Sequence, residues 1–147
     1  MKILLVADQF FKANNGMTIS ASRFAKVLEE HGNEVRIVST GTEEDVEPGK
    51  TAYLMKKQYI PLFARLVSAQ GMTFAKTDLP LLEEAVRWAD VVHFLVPFAL
   101  SKHSAELCRK RGVPYTAAFH VQPENISSSL HMGKIEGINN LIYRRCV

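Results

Sequence analysis

Cysteine is scarce. Cys108 and Cys146 are the two in 147 residues. Neither belongs to a CxxC pair, and no Cys/His cluster has the spacing of zinc ligands, so no metal site is expected. Two isolated thiols suit a reducing cytosol better than a disulfide scaffold. With 8 glycines and 6 prolines, the chain is not collagen-like or of low complexity. An excess of one charge is also missing. Eighteen Lys and Arg face 15 Asp and Glu, a net charge of +3. That falls short of the clustered basic face expected of a nucleic-acid binder, so no nucleic-acid partner is expected. Long apolar runs are absent too. Val91–Leu100 contains His93 and Pro97, and it is far shorter than the ~20 residues that span a bilayer. Ile3–Ala7 is too short for a secretory h-region, so we expect no signal peptide and a cytoplasmic protein. What is present, 47% hydrophobic and 22% charged residues, excludes disorder and suits one globular domain.

Strand-like and helix-like patterns alternate along the chain. Lys2–Ala7 (KILLVA) is a continuous apolar run, as in a strand buried on both faces. Met17–His31 has helical period, with Ala21, Phe24, Ala25 and Leu28 at i, i+3, i+4 and i+7. Gly32 suits the left-handed position that ends a helix. Glu34–Thr40 reads as the second strand. Gly41–Lys50 is an acidic loop ending in Pro48-Gly49, Thr51–Ile60 is a weaker strand, and Leu62–Val67 has room for one or two helical turns. Gly71–Asp78 has no clear pattern. Leu79–Ala89 is a helix with Pro80 early, where proline is tolerated. Asp90–Val96 is a strand, Leu100–Arg111 a helix stopped by Gly112, and Pro114–Phe119 a last strand. This order predicts an α/β fold, a mostly parallel sheet with helices on both faces. Ile138–Val147 reads as the start of an amphipathic helix.

In such sheets ligands bind beyond the carboxyl ends of the strands, where the strand order reverses. The distinctive residues follow those ends. After the first strand, Asn14-Asn15-Gly16 precedes a helix. Glycine lets a backbone approach an anion, and the helix start supplies free N–H groups and a positive dipole end. The same residues also read as a turn followed by a Thr18 or Ser20 cap. Neither a GxGxxG fingerprint nor a GxxxxGK[ST] loop is present. Ser39–Thr42 follows the second strand and Pro97 the strand through Val96. After the last strand comes Phe119-His120-Val121-Gln122-Pro123-Glu124-Asn125. A histidine there can exchange a proton or bind a hydroxyl or phosphate oxygen, or it can be a loop residue bonded to a backbone carbonyl.

Other chemistry-bearing residues read more plainly. His93 lies within its strand and is expected to be buried without a catalytic role. Asp8 and Glu124 are carboxylates on the same edge, with no local spacing that fixes their separation. Asn125-Ile126-Ser127 matches a glycosylation sequon that a protein without a signal peptide would not use. Tyr53–Val67 mixes aromatic and aliphatic residues with Lys56, Lys57 and Arg65. It reads as a half-buried segment with solvated lysines, or as a surface that lies on anionic lipid.

Two blocks resemble family 4 glycosyltransferases of the GT-B fold. NNGMTISASRFAKVLEEHGNEVRIVST resembles their opening, in which a glycine-containing loop and helix lead into a "GHEV" strand, here Gly32-Asn33-Glu34-Val35. DVVHFLVPFALSKHSAELCRKRGVPYTAAFHVQPENI resembles their "DVVH…P…A…GIPVV.TFH" region. The match spans roughly residues 1–41 and 79–127. One glycine, Gly16, stands where many members have two.

The resemblance implies a Rossmann-like, doubly wound lobe over residues 1–134. It implies that 135–147 begin a helix toward a C-terminal donor lobe. The implied activity is retaining transfer of a hexose from a nucleotide-sugar, used as co-substrate without metal or other cofactor. Asn15, Gly16 and Met17 would lie near the donor diphosphate. His120 would be the catalytic histidine of the cleft, flanked by the substrate-binding residues Gln122, Glu124 and Asn125. Similar "FH.QPEN" turns in lipid-glycosylating members imply a glycolipid acceptor and peripheral contact with the inner membrane face. A stand-alone module that binds an anionic ligand or a partner subunit, and a GT-B nucleotide-sugar epimerase fragment, are the alternatives. As a lobe of a two-lobed enzyme, the chain alone is expected to be inactive, with an apolar face near Ile135–Val147.

Overall fold

The structure is a computed structural model that describes residues 1–11, 16–59 and 73–118. Its elements are β1 (Lys2–Gln9), α1 (Gly16–Glu30), β2 (Glu34–Thr40), a 3-10 turn at Glu43–Asp45, β3 (Ala52–Gln58), β4 (Phe74–Lys76), α2 (Leu79–Trp88), β5 (Val91–Phe94), α3 (Ala99–Arg111) and β6 (Tyr115–Ala117). The sheet order is β4-β3-β2-β1-β5-β6. Four of its pairings are parallel, and β3–β4 is antiparallel. This is the mostly parallel, helix-flanked sheet that the alternation predicts, and it is Rossmann-like, as the resemblance implies.

β1 is the centre of the molecule because both of its faces are apolar. Leu4 and Val6 join one cluster with Val38, Met55, Val86 and Leu100, beneath α2 and α3. Ile3, Leu5 and Ala7 join a second with Val35, Ala21 and Ala25, beneath α1. The alternation follows from the two-residue period of a strand. Burying one leucine of this size stabilises by about 1.5–3 kcal/mol.

α1 meets the sheet through Thr18, Ala21 and Ala25, all buried. These small side chains let the helix sit close. Phe24, expected in the core, is instead 39% exposed at the margin, its ring 5.2 Å from that of His93. Thr18 lies inside the helix, and so does Ser20; neither is the cap that the turn-and-cap reading expects. α2 is capped by Asp78, whose carboxylate accepts the Leu81 N–H at 3.2 Å, with Pro80 in the first turn. α3 ends at Gly112, with φ +70°, where a side chain would be strained.

The segment 71–78, featureless in sequence, contains β4. Its three residues are too few for any periodicity to show, and their strand geometry comes from pairing with β3. The chain crosses from β2 to β3 without an α-helix, through the 3-10 turn alone. A groove of about 380 Å³ remains there beside α1, with Phe10, Phe11, Val35 and Ile37 among its walls. The Lys50–Glu29 ion pair closes one side of it.

Candidate functional site at the carboxyl edge

The strand order fixes where a ligand site is expected. From β1 the chain winds outward through β2 to β3 and β4, then returns through α2 to β5 on the other side of β1. The direction therefore reverses between β1 and β5, and the space beyond their carboxyl ends is where a fold of this kind takes its ligand. β1 ends there at Asp8-Gln9, β2 at Ser39-Thr40 and β5 just before Leu95. β6 reaches the same edge. The Ala118 N–H donates to the Phe94 carbonyl at 2.8 Å, so the described chain stops on this edge two residues before His120.

Gly16 is the first residue of α1 and is exposed, and among the described residues beyond its chain neighbours and its own helix backbone nothing lies within 4 Å of where a Cβ would be. The first turn of α1 holds no acidic side chain, so its positive end is not neutralised from within the helix. Met17 is half-buried, and its side chain packs against the cluster of Ile3 and Leu5. Asn15, His120, Gln122, Glu124 and Asn125 lie outside the described residues, as do Leu62–Val67, Ile135–Val147 and the sequon. Pairing of Asp8 with Glu124 is likewise outside them.

Asp8 is the polar centre of this edge. It is 2% exposed. Its Oδ1 accepts the Ala75 N–H of β4 at 2.8 Å, and its carbonyl accepts the Thr40 hydroxyl at 2.7 Å. Among the described residues, Oδ2 has no hydrogen-bond partner. Burial raises the carboxyl pKa from 3.8 to about 6, against the lowering effect of backbone N–H groups. The β1–β2 register shifts between Val6 and Gln9, an irregularity of the kind that re-aims side chains beside sites. Sequence reading noted Asp8 as an edge carboxylate but missed its tie to β4. Its partner is a backbone group 67 residues away, which no local spacing reveals.

The other edge residues serve the fold. The Asp45 carboxylate accepts the Thr42 N–H at 2.8 Å. Ser101 donates to the Val96 carbonyl at 2.5 Å. Thr77 Oγ1 and His103 Nδ1 are 2.9 Å apart, tying β4's far end to α3. His93, expected to be buried, is half-buried, with Nδ1 2.7 Å from Thr116 Oγ1 of β6. Among the described residues β6 is an edge strand, and that face of β5 is left partly open. Among the described residues, no group of three His, Cys, Asp or Glu is arranged to hold a metal ion. Among them, too, no helix is long and apolar enough to cross a membrane.

No protein-family model matches the chain, and no curated protein matches it. Solved structures do. The C-terminal domain of a hydrogenase from Pyrococcus furiosus matches at TM-score 0.50 and 17% identity, over 80% of this chain and 91% of that domain. A second crystal structure of that C-terminal domain gives 0.46 and 19%, over 80% and 90%. A UGT transferase from Siraitia grosvenorii, solved with UDP, gives 0.49 and 12%, over 88% of this chain and 30% of that one. At these identities the likeness is one of fold.

Proposed function

We propose that this chain is the acceptor-side lobe of a retaining, nucleotide-sugar-dependent hexosyltransferase of the GT-B kind. The observation that carries the reading is the convergence of the β1 end, the α1 start at Gly16 and the β5 and β6 ends on one edge, at the reversal of strand order. The two sequence blocks that resemble family 4 enzymes supply those same segments. The N–H groups at the start of α1, those of Gly16 and Met17, with that of Asn15 just before them in the sequence, stabilise the charge of the leaving diphosphate. Met17 acts there through its backbone, since its side chain is packed inward.

His120, three residues beyond β6 in the sequence, orients the transferred sugar or the acceptor hydroxyl. Gln122, Glu124 and Asn125 beside it hold substrate hydroxyls. A second lobe supplies the rest of the donor's contacts, and without them the positioned shell is incomplete and transfer is negligible. The nucleotide-sugar is a co-substrate, and the reading needs no metal. If the acceptor is a glycolipid, the enzyme works at the inner face of the membrane.

Full-length protein supplied with UDP-, GDP- and ADP-hexoses tests this. The expected result is release of one nucleoside diphosphate and a product that keeps the anomeric configuration. His120→Ala is expected to lower kcat by about 100-fold. Absence of diphosphate release from every donor, across a panel of acceptors, sinks the reading.

A further inference from the structure

β3 outruns its parallel partner. Its pairing with β2 ends at Thr40↔Met55, and the strand continues through Lys56, Lys57 and Gln58. There it pairs antiparallel with β4, in the register Lys56↔Lys76, Lys57↔Ala75 and Gln58↔Phe74. The two strands form a ribbon at the carboxyl edge. It is tied down by the Ala75 N–H on Asp8 and by the edge contact of the Phe74 and Phe98 rings, 5.0 Å between centroids.

Residues directly opposite in an antiparallel pair share a face, with Cβ atoms about 5 Å apart, and like charges so placed repel. Lys56 and Lys76 form such a pair. The fold imposes it. Ala75 is buried against the core, so strand alternation turns Lys76 to the other face, where Lys56 already sits. Both lysines are exposed, and so is Lys57. None of the three makes an ion pair among the described residues. A negative group between the two ammonium groups relieves their repulsion.

We propose that this ribbon binds an anionic group, a phosphate or carboxylate carried by a small molecule seated at the carboxyl edge, with Lys56 and Lys76 as its paired contacts. Lys57 adds to the local positive field. The inference rests on the preceding reading only in taking the carboxyl edge as the working edge. Under that reading, the molecule that accepts the sugar is itself an anion.

The test is a titration of the isotope-labelled chain with inorganic phosphate at low ionic strength, followed by the backbone amides of Lys56–Gln58 and Phe74–Lys76. The expected result is a saturable shift of these amides, weakened about tenfold in the Lys56→Gln/Lys76→Gln variant. Added salt weakens it further. Glucose leaves the same amides in place. Lys56→Gln alone gives an intermediate affinity and serves if the double variant fails to fold. No shift with phosphate, or one of equal affinity in the variants, overturns the proposal. So does binding to anionic lipid vesicles without any response to phosphate, because the occupant is then a surface. Phosphate binding through these lysines without sugar transfer by the full-length protein keeps this proposal and removes the transferase reading. Transfer without a phosphate response does the reverse.

Discussion

Replacing Asp8 with asparagine isolates the cost of a buried carboxylate. Asp8 is 2% exposed, and burial lifts its pKa from 3.8 to about 6. A rise of about two units corresponds to about 3 kcal/mol between the two protonation states. The folded chain holds this proton more tightly than the unfolded one. Between about pH 4 and about pH 6 it therefore binds more protons, and stability falls as pH rises through that window and is level above it.

Asp8→Asn keeps an oxygen to accept the Ala75 N–H and has no proton to exchange. Its amide N–H₂ replaces Oδ2, which has no hydrogen-bond partner among the described residues, and leaves a buried donor unpaired at a cost of about 1–3 kcal/mol. The protonated wild-type carboxyl leaves its own O–H unpaired in the same place, so near pH 4 the two proteins are close in stability. Near neutral pH the wild type carries the buried charge instead, and the variant is the more stable by about 2–3 kcal/mol. Urea unfolding of both proteins at about pH 4.5 and about pH 7.5 reads the difference directly, and subtraction removes every other titrating group. A wild-type-minus-variant difference that changes by less than about 0.5 kcal/mol across the window refutes the burial argument.

Two further expectations follow from local geometry. Asp78→Ala removes the α2 cap on the Leu81 N–H and is expected to lower stability by about 1 kcal/mol. Faster amide exchange at Leu81 with no change at Val92 would place the loss in that helix turn. Cys108 is fully buried, and burial pushes its thiol up to about 11. In a Cys146→Ser background it is expected to resist a disulfide reagent at neutral pH until the chain is unfolded, and rapid native labelling would contradict its burial.

Much of the fold was legible because long elements carry their own period. Lys2–Ala7 reads as a strand buried on both faces, and its residues do divide between two clusters. Gly32 and Gly112 mark helix ends, and both have positive φ. What escaped was set by distant pairing. β4 exists because β3 lies beside it, and the place of Asp8 depends on a backbone N–H from that strand. Phe24 fits the helical stripe, yet smaller neighbours take the contact with the sheet. Of the candidate site, the sequence located the edge and the Gly16 helix start. It did not reveal the lysine ribbon, because Lys56 and Lys76 meet only through register.

One strand feeds consecutive side chains alternately into two separate hydrophobic layers. Leu4 and Val6 anchor the layer under α2 and α3, and Ile3, Leu5 and Ala7 anchor the layer under α1. Neither layer can loosen without pulling the backbone that seats the other. The described body should therefore melt as one cooperative unit, with hydrogen exchange slowest along this strand. Asp8 lies next to the carboxyl end of this strand, so a change in its ionisation is expected to alter the stability of both layers together.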